Sequence, residues 1–261
     1  MAIPARSFRI SPPVRAACPA RSSSCRAVSV RKISKGWLDR VVSRSPWRMN
    51  DRGVDPQILK AWLSARSIAR GLSAPVPEYG GFRVDTRSDT EVARWVFPQI
   101  VSGLETLAHS ICKPRYFLKL CGSAEDLRAL LPANWTLHAP SYFMQATSSS
   151  WPVRHLPRGY RIALSRANAV SEVRIFSEAG DLAASGYGAE AGNVFIYDRI
   201  VTQPDHRRRG LGRILMQKLH ETKSQTCNTQ LLVATEDGRS LYATLGWKTI
   251  SPYSTASIVS A

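Results

Sequence analysis

Between Asp55 and Gly71 the apolar residues Ile58, Leu59, Trp62, Leu63 and Ile68 recur at helical spacing. Pro56 stands where a first helical turn accepts proline, and Gly71 ends the run. A connector with proline and glycine, Ala74 to Gly81, leads to an apolar strand at Phe82 to Asp85. The pattern then predicts a helix from about Thr90 to Ile111, interrupted near Pro98, and a strand at Tyr116 to Cys121. Ser123 caps a short helix, Ala124 to Leu131. This half reads β-α-β-α.

After a Ser-rich bridge, Thr147 to Pro157, three strands follow closely at Tyr160 to Leu164, Ser171 to Ser177 and Asp181 to Tyr187, the last two joined by a turn at Glu178, Ala179 and Gly180. A fourth, Asn193 to Thr202, is rich in Val, Ile, Phe and Tyr, as interior strands are. The loop Gln203 to Arg209, a helix from about Gly210 to Thr222, a strand at Gln230 to Thr235, a short helix at Gly238 to Leu245 and a terminal strand at Trp247 to Ser251 complete a β-loop-α-β-α-β half. Residues 49–147 and 158–256 are therefore read as two folded parts.

Composition adds little to this. The chain has 261 residues, enough for one large core or two modest ones. Its net charge of +17 would suggest nucleic acid, but the charge is unevenly placed. Residues 1–48 hold eleven basic residues against one acid, so more than half of the surplus lies outside the patterned region. That segment lacks a hydrophobic period and is expected to be disordered. Its Arg- and Ser-rich make-up also fits an organellar transit peptide, with Met49 as an alternative start. Nucleic acid is not expected as a partner. The five cysteines and five histidines show no metal-ligand spacing, and no run approaches the ~18 apolar residues of a spanning helix. Reduced thiols, no metal, no membrane partner and a cytoplasmic location are the resulting expectations.

The passage from Ile200 to Met216 carries the chemistry. A strand runs into Arg207-x-x-Gly210-x-Gly212 at the head of an amphipathic helix. N–H groups at a helix start have no helical acceptor and lie at the positive end of the helix dipole, so they suit a pyrophosphate. Glycines let a ligand approach the backbone, and Arg207, Arg208, Arg209 and Arg213 add charge. A dinucleotide-binding turn is the competing reading, but G-x-G-x-x-G is absent.

This passage resembles the acetyl-CoA motif of the Gcn5-related N-acetyltransferase (GNAT) superfamily, Val-x-Pro-x-x-Arg-x-x-Gly-x-Gly before a helix. Thr202 stands in the Val place, and Pro204, Arg207, Gly210 and Gly212 match. A second block, Leu231 to Trp247, resembles the family's later strand, helix and Leu-Tyr-x-x-Leu-Gly-[Phe/Trp] ending. The resemblance implies an α/β fold, a mixed sheet of GNAT-like acyl-CoA N-acyltransferase type, preceded by an N-terminal α/β half and the basic segment. It implies acetyl-CoA as acyl donor and an unidentified amine as acceptor. The amides of Arg207, Arg208, Arg209, Gly210, Leu211, Gly212 and Arg213 would hold the pyrophosphate. The main chain of Ile200, Val201 and Thr202 would pair with the pantetheine arm. Tyr242 corresponds to the tyrosine that protonates the leaving thiolate, and Thr235 stands where the family often has a cofactor-contacting Asn.

Attack on a thioester needs a neutral amine, hence a proton acceptor. Asp198 in the fourth strand is the candidate base, with solvent exposure as its alternative; Glu172, Glu190 and Asp205 are reserves, and His206 reads as a loop residue. The family's two helices between its first and second strands cannot fit between Leu164 and Ser171. Either the first half supplies them or it is a degenerate second GNAT-like unit. The aromatic residues Tyr142, Phe143 and Trp151 could line the acceptor pocket or belong to the core. A non-catalytic acyl-CoA-binding regulatory module is the alternative function.

Overall fold

The computed structural model describes residues 53–147, 154–224 and 229–258, all within one compact unit, Trp47–Ala261. The segment 1–48 and Trp151 lie outside the described residues. Helix α1, Pro56–Ala69, forms where its spacing predicts. Asp55 caps it by accepting the Gln57 N–H at 2.7 Å, and Leu59, Trp62, Leu63 and Ala65 are buried.

The first half continues with β1 (Val76–Glu78), β2 (Gly81–Asp85), β3 (Ala93–Phe97), α2 (Ser102–Ser110), β4 (Tyr116–Cys121), α3 (Ala124–Ala129), β5 (Trp135–Leu137) and β6 (Ser141–Ala146). The expected helix from Thr90 to Ile111 is corrected: its front part is the strand β3, and Pro98 falls between strand and helix. All five residues of β3 are buried, so it shows no alternation to read. Ser123 caps α3, its hydroxyl accepting the Asp126 N–H at 3.0 Å.

The second half holds β7 (Tyr160–Ala167), β8 (Val170–Ser177), β9 (Leu182–Ala191), β10 (Val194–Thr202), a 3-10 turn (Pro204–His206), α4 (Leu211–His220), β11 (Thr229–Thr235), α5 (Glu236–Ala243) and β12 (Trp247–Ile258). The terminal strand thus runs seven residues past the predicted Ser251. Cys121 is a buried free thiol.

Both halves share one mixed sheet, ordered β1-β2-β3-β4-β12-β6-β11-β10-β9-β8-β7, with β5 paired to β12 off this path. The order is nearly palindromic. Strands β2, β3 and β4, with α2 between the parallel pair and α3 after it, are mirrored in order by β9, β10 and β11 with α4 and α5. At the centre the halves exchange strands. β6 of the first half pairs with β11 of the second, and β12 of the second pairs with β4 of the first. β6 and β12 are themselves antiparallel neighbours.

One face of the sheet carries α1. Its Leu59, Trp62 and Leu63 pack with Phe143, Ala189, Val194, Ile196, Leu231 and Tyr253, and the Trp62 ring meets Phe143 at 5.0 Å and Tyr253 at 5.9 Å. The first half therefore supplies a helix to the face of β9 and β10. Phe143 is core, and Tyr142 instead donates its hydroxyl to Glu236. On the other face α2 and α3 bury Leu104, Leu107 and Leu127, while α4 and α5 bury Ile214, Leu215, Leu219 and Tyr242.

Strand exchange makes the halves interdependent. The full chain is expected to unfold in one cooperative thermal transition, and a fragment of residues 154–261, which lacks α1 and β6, to show none. Calorimetry resolving two transitions, or a folded fragment, would contradict this.

Candidate active site

Strand β10 lies beside β11 only from Val194 to Ile196, in parallel register with Thr229 to Leu231. Beyond that point β11 is held by β6 through Thr235, and β10 keeps only β9. A cleft opens between them. β10 also bulges between Asp198 and Val201, with Arg199 at φ +53°, so the main chain of Arg199 and Ile200 leaves the ladder. The mirrored pair in the first half does not part: β3 and β4 stay in register from Ala93↔Tyr116 to Phe97↔Leu120. The start of α2 is also covered by backbone, since a Cβ on Gly103 would fall 2.0 Å from the Tyr79 carbonyl oxygen.

At the mouth of the open cleft lies the start of α4. Gly210 adopts φ +79°, with nothing within 4 Å of an added Cβ, so backbone conformation rather than crowding requires glycine there. Its carbonyl takes the N–H groups of Arg213 and Ile214, and the Arg207 N–H goes to the Pro204 carbonyl at 3.2 Å, so of the amides expected to hold a pyrophosphate those from Arg208 to Gly212 remain at the open helix end. Gly212 is tight: a Cβ there would lie 3.3 Å from Leu241 and 3.6 Å from the Thr202 hydroxyl. Arg207, Arg208 and Arg209 are exposed. Arg207 reaches the Thr202 carbonyl at 3.3 Å, Arg209 the Tyr160 hydroxyl at 3.1 Å, and Arg213 the Thr244 hydroxyl at 2.9 Å. His206 is engaged with Tyr160 at 2.9 Å. Val201, an apolar strand residue, is 44% exposed.

Thr235 caps α5, accepting the Gly238 N–H at 3.3 Å. Tyr242 on the same helix is buried beside Trp247, and burial pushes its hydroxyl up to about 12. The mouth, the strand edge and α5 thus lie around one opening.

Asp198 does not face solvent. Arg70 of α1 holds it through two hydrogen bonds, 2.6 and 2.8 Å, and Arg66 and Arg199 stand at 3.5 and 3.4 Å. Burial pushes its carboxyl up, but the Arg70 hydrogen bonds and the charges of Arg66, Arg70 and Arg199 outweigh this and hold it below the ordinary aspartate range. A carboxylate bound in this way is a weak proton acceptor. Of the reserves, Glu172 accepts from Arg174 and from the Tyr187 hydroxyl, and Glu190 from the Ser224 N–H. The sequence reading missed Arg66 and Arg70. Their spacing of four along one helix face was the available signal, but nothing local points 128 residues on to Asp198.

A strand that parts from its parallel neighbour beside a glycine-started helix is the arrangement that the resemblance to the GNAT superfamily implies. The family model "Acetyltransferase (GNAT) domain" matches residues 170–249, and the C-terminal part of the chain carries a GNAT domain. No curated protein matches the chain. Among solved structures, a GCN5-related N-acetyltransferase from Kribbella flavida is similar at 14% identity, with a TM-score of 0.57 over 80% of this chain and 97% of that one. A putative acetyltransferase of the GNAT family from Novosphingobium aromaticivorans DSM 12444 is 16% identical, with a TM-score of 0.47 over 76% of this chain and 96% of that one. The Kribbella likeness is one of fold and reaches well beyond residues 170–249.

A depressed folded-state pKa means that Asp198 contributes stability above the unfolded aspartate pKa, about 3.9, and loses it as pH falls through the lower folded value. Asp198→Asn should cost about 3 kcal/mol at pH 7, because it leaves three arginines short of a counter-charge. It should also flatten the loss of stability below about pH 4. Denaturant titrations at pH 7 and pH 3 check both; a variant as stable as the parent at pH 7 contradicts the assignment.

Proposed function

We propose that this chain transfers the acetyl group of acetyl-CoA directly to an amine. The observation that carries the reading is the parting of β10 from β11 in line with the open N-terminus of α4. Acyltransferase-type function is supported by the GNAT domain; the donor, the acceptor and the residue roles are the proposal.

The amides between Arg207 and Arg213 would take the pyrophosphate, with Arg207, Arg208 and Arg209 adding charge from the exposed turn. The freed strand edge at Ile200, Val201 and Thr202 would pair with the pantetheine arm, and exposed Val201 would gain apolar cover. An N–H released by the β10 bulge would donate to the oxyanion that forms as the amine adds to the thioester carbonyl. As the carbon–sulfur bond breaks, Tyr242 would donate its hydroxyl proton to the sulfur. Burial keeps that phenol protonated throughout the neutral range.

In this reading Asp198 acts as a positioning residue that holds α1 against β10, and the amine proton leaves through water. The likeness in strand order between β2-β3-β4 and β9-β10-β11 supports residues 49–147 as a degenerate GNAT-like half whose cleft is closed. One observation favours the second reading, a non-catalytic acyl-CoA-binding module: the strand carboxylate nearest the cleft is committed to arginines.

Calorimetry should detect acetyl-CoA binding, weakened at least about tenfold by the double change Arg207→Glu and Arg209→Glu. Tyr242→Phe should lower kcat about a hundredfold while affinity for acetyl-CoA holds. Absence of binding by the folded parent ends the proposal. Binding without turnover over a broad amine panel selects the regulatory module.

A further inference from the structure

The face of the sheet under α1 carries more cations than carboxylates. Arg94 on β3 is 6% exposed, and Lys119 projects from β4 on the same face, its ammonium 3.3 Å from the Thr255 hydroxyl. Arg66 and Arg70 descend onto this face from α1, and Arg66, Arg70 and Arg94 line one small depression with Leu63, Ser67, Leu72 and Val84. Arg199 stands at the neighbouring bulge.

Among the described residues two carboxylates face these five groups: Asp198, taken by Arg70 and flanked by Arg66 and Arg199, and Glu91, which accepts both arms of the Arg94 fork. Of these cations Arg94 is buried, Arg66, Arg70 and Lys119 are half-buried, and Arg199 is exposed. Burial pushes Lys119 down to about 7, helped by Arg94 and Arg66, and pushes Arg66 down to about 10. Among the described residues the hydroxyl of Tyr253, only 4% exposed, has no hydrogen-bond partner, and it lies within electrostatic reach of Arg66 and Arg94. A buried hydroxyl donor beside an excess of cations makes a surface suited to an anion.

We infer that the depression between α1 and β2–β3, lined by Arg66, Arg70 and Arg94, binds a carboxylate or phosphate, and that the acceptor is therefore an amine that also carries such an anionic group. The link to transfer is Arg70, which lines the depression and holds Asp198 at the edge of the cleft. An anion there would place its attached amine on the α1 side of the opening. The acceptor part rests on the proposed amine acetylation; the anion site does not.

Two measurements on the full chain test this separately. At constant ionic strength, inorganic phosphate or acetate should raise the midpoint of thermal unfolding by about 2–4 °C over chloride. Arg66→Gln and Arg94→Gln should each lose more than half of that protection, and Arg66→Lys should keep part of it. Protection that is absent, or equal in parent and variants, overturns the anion site. In turnover, amino acids against their decarboxylated amines, and phosphoethanolamine against ethanolamine, separate carboxylate from phosphate. One anionic class should exceed its neutral partners about thirtyfold in kcat/KM, and Arg66→Gln should narrow the gap. Equal turnover of neutral and anionic amines overturns the acceptor assignment. If acetyl-CoA binds and no amine of either charge reacts, acetyl transfer and the acceptor class fall together, and the protection series still decides the anion site.

Discussion

Neither half of this sheet is complete without a strand from the other. β12 fills the place beside β4, β6 fills the place beside β11, and the two run antiparallel through the middle. The opening depends on this exchange. β11 is held in the sheet by β6 along Leu231 to Thr235, so β10 can diverge there, and the backbone groups on the β10-facing edge of β11 are left without a strand partner among the described residues. Opposite Ser141, where β6 begins, β11 gives way to α5 from Thr235, which brings Tyr242 to the same side of the sheet as the start of α4. The first half has the same strand order without the divergence, and its helix start is sealed by the Tyr79 main chain.

The second organising feature is electrostatic. α1 comes from the first half and is fixed to the second by Asp198 through Arg70, with Arg199 also donating to the Ala69 carbonyl at the end of that helix. The strand acid that local reasoning offered as a proton acceptor therefore ties the halves together, and the same arginines shape the face from which an acceptor would approach. Holding a carboxylate among several guanidinium groups keeps it ionised, which suits a tether better than a base.

Local signals carried much of the second half and little of the first. Gly210, Gly212 and Arg207 follow a strand at fixed spacing, and the chemistry they suggest needs only adjacent residues. α1 was legible because its apolar stripe and its cap are local. β3 was not, since Ala93 to Phe97 is buried on both faces and runs straight toward a helical pattern. β6 and the end of β12 were missed for another reason. Ser141 to Ala146 and Pro252 to Ile258 become strands by pairing with chain about ninety and 135 residues away, which no periodicity reports. The partners of Asp198 are non-local in the same way.

Hydrogen–deuterium exchange with and without coenzyme A tests the central claim most directly, because it reports which helix start and which strand edge meet the ligand. Added coenzyme A should slow exchange at the amides from Arg208 to Gly212 and from Ile200 to Thr202, and leave the start of α2, near Ser102 to Leu104, unchanged. Protection confined to the first half, or no protection at either helix start, would contradict the account.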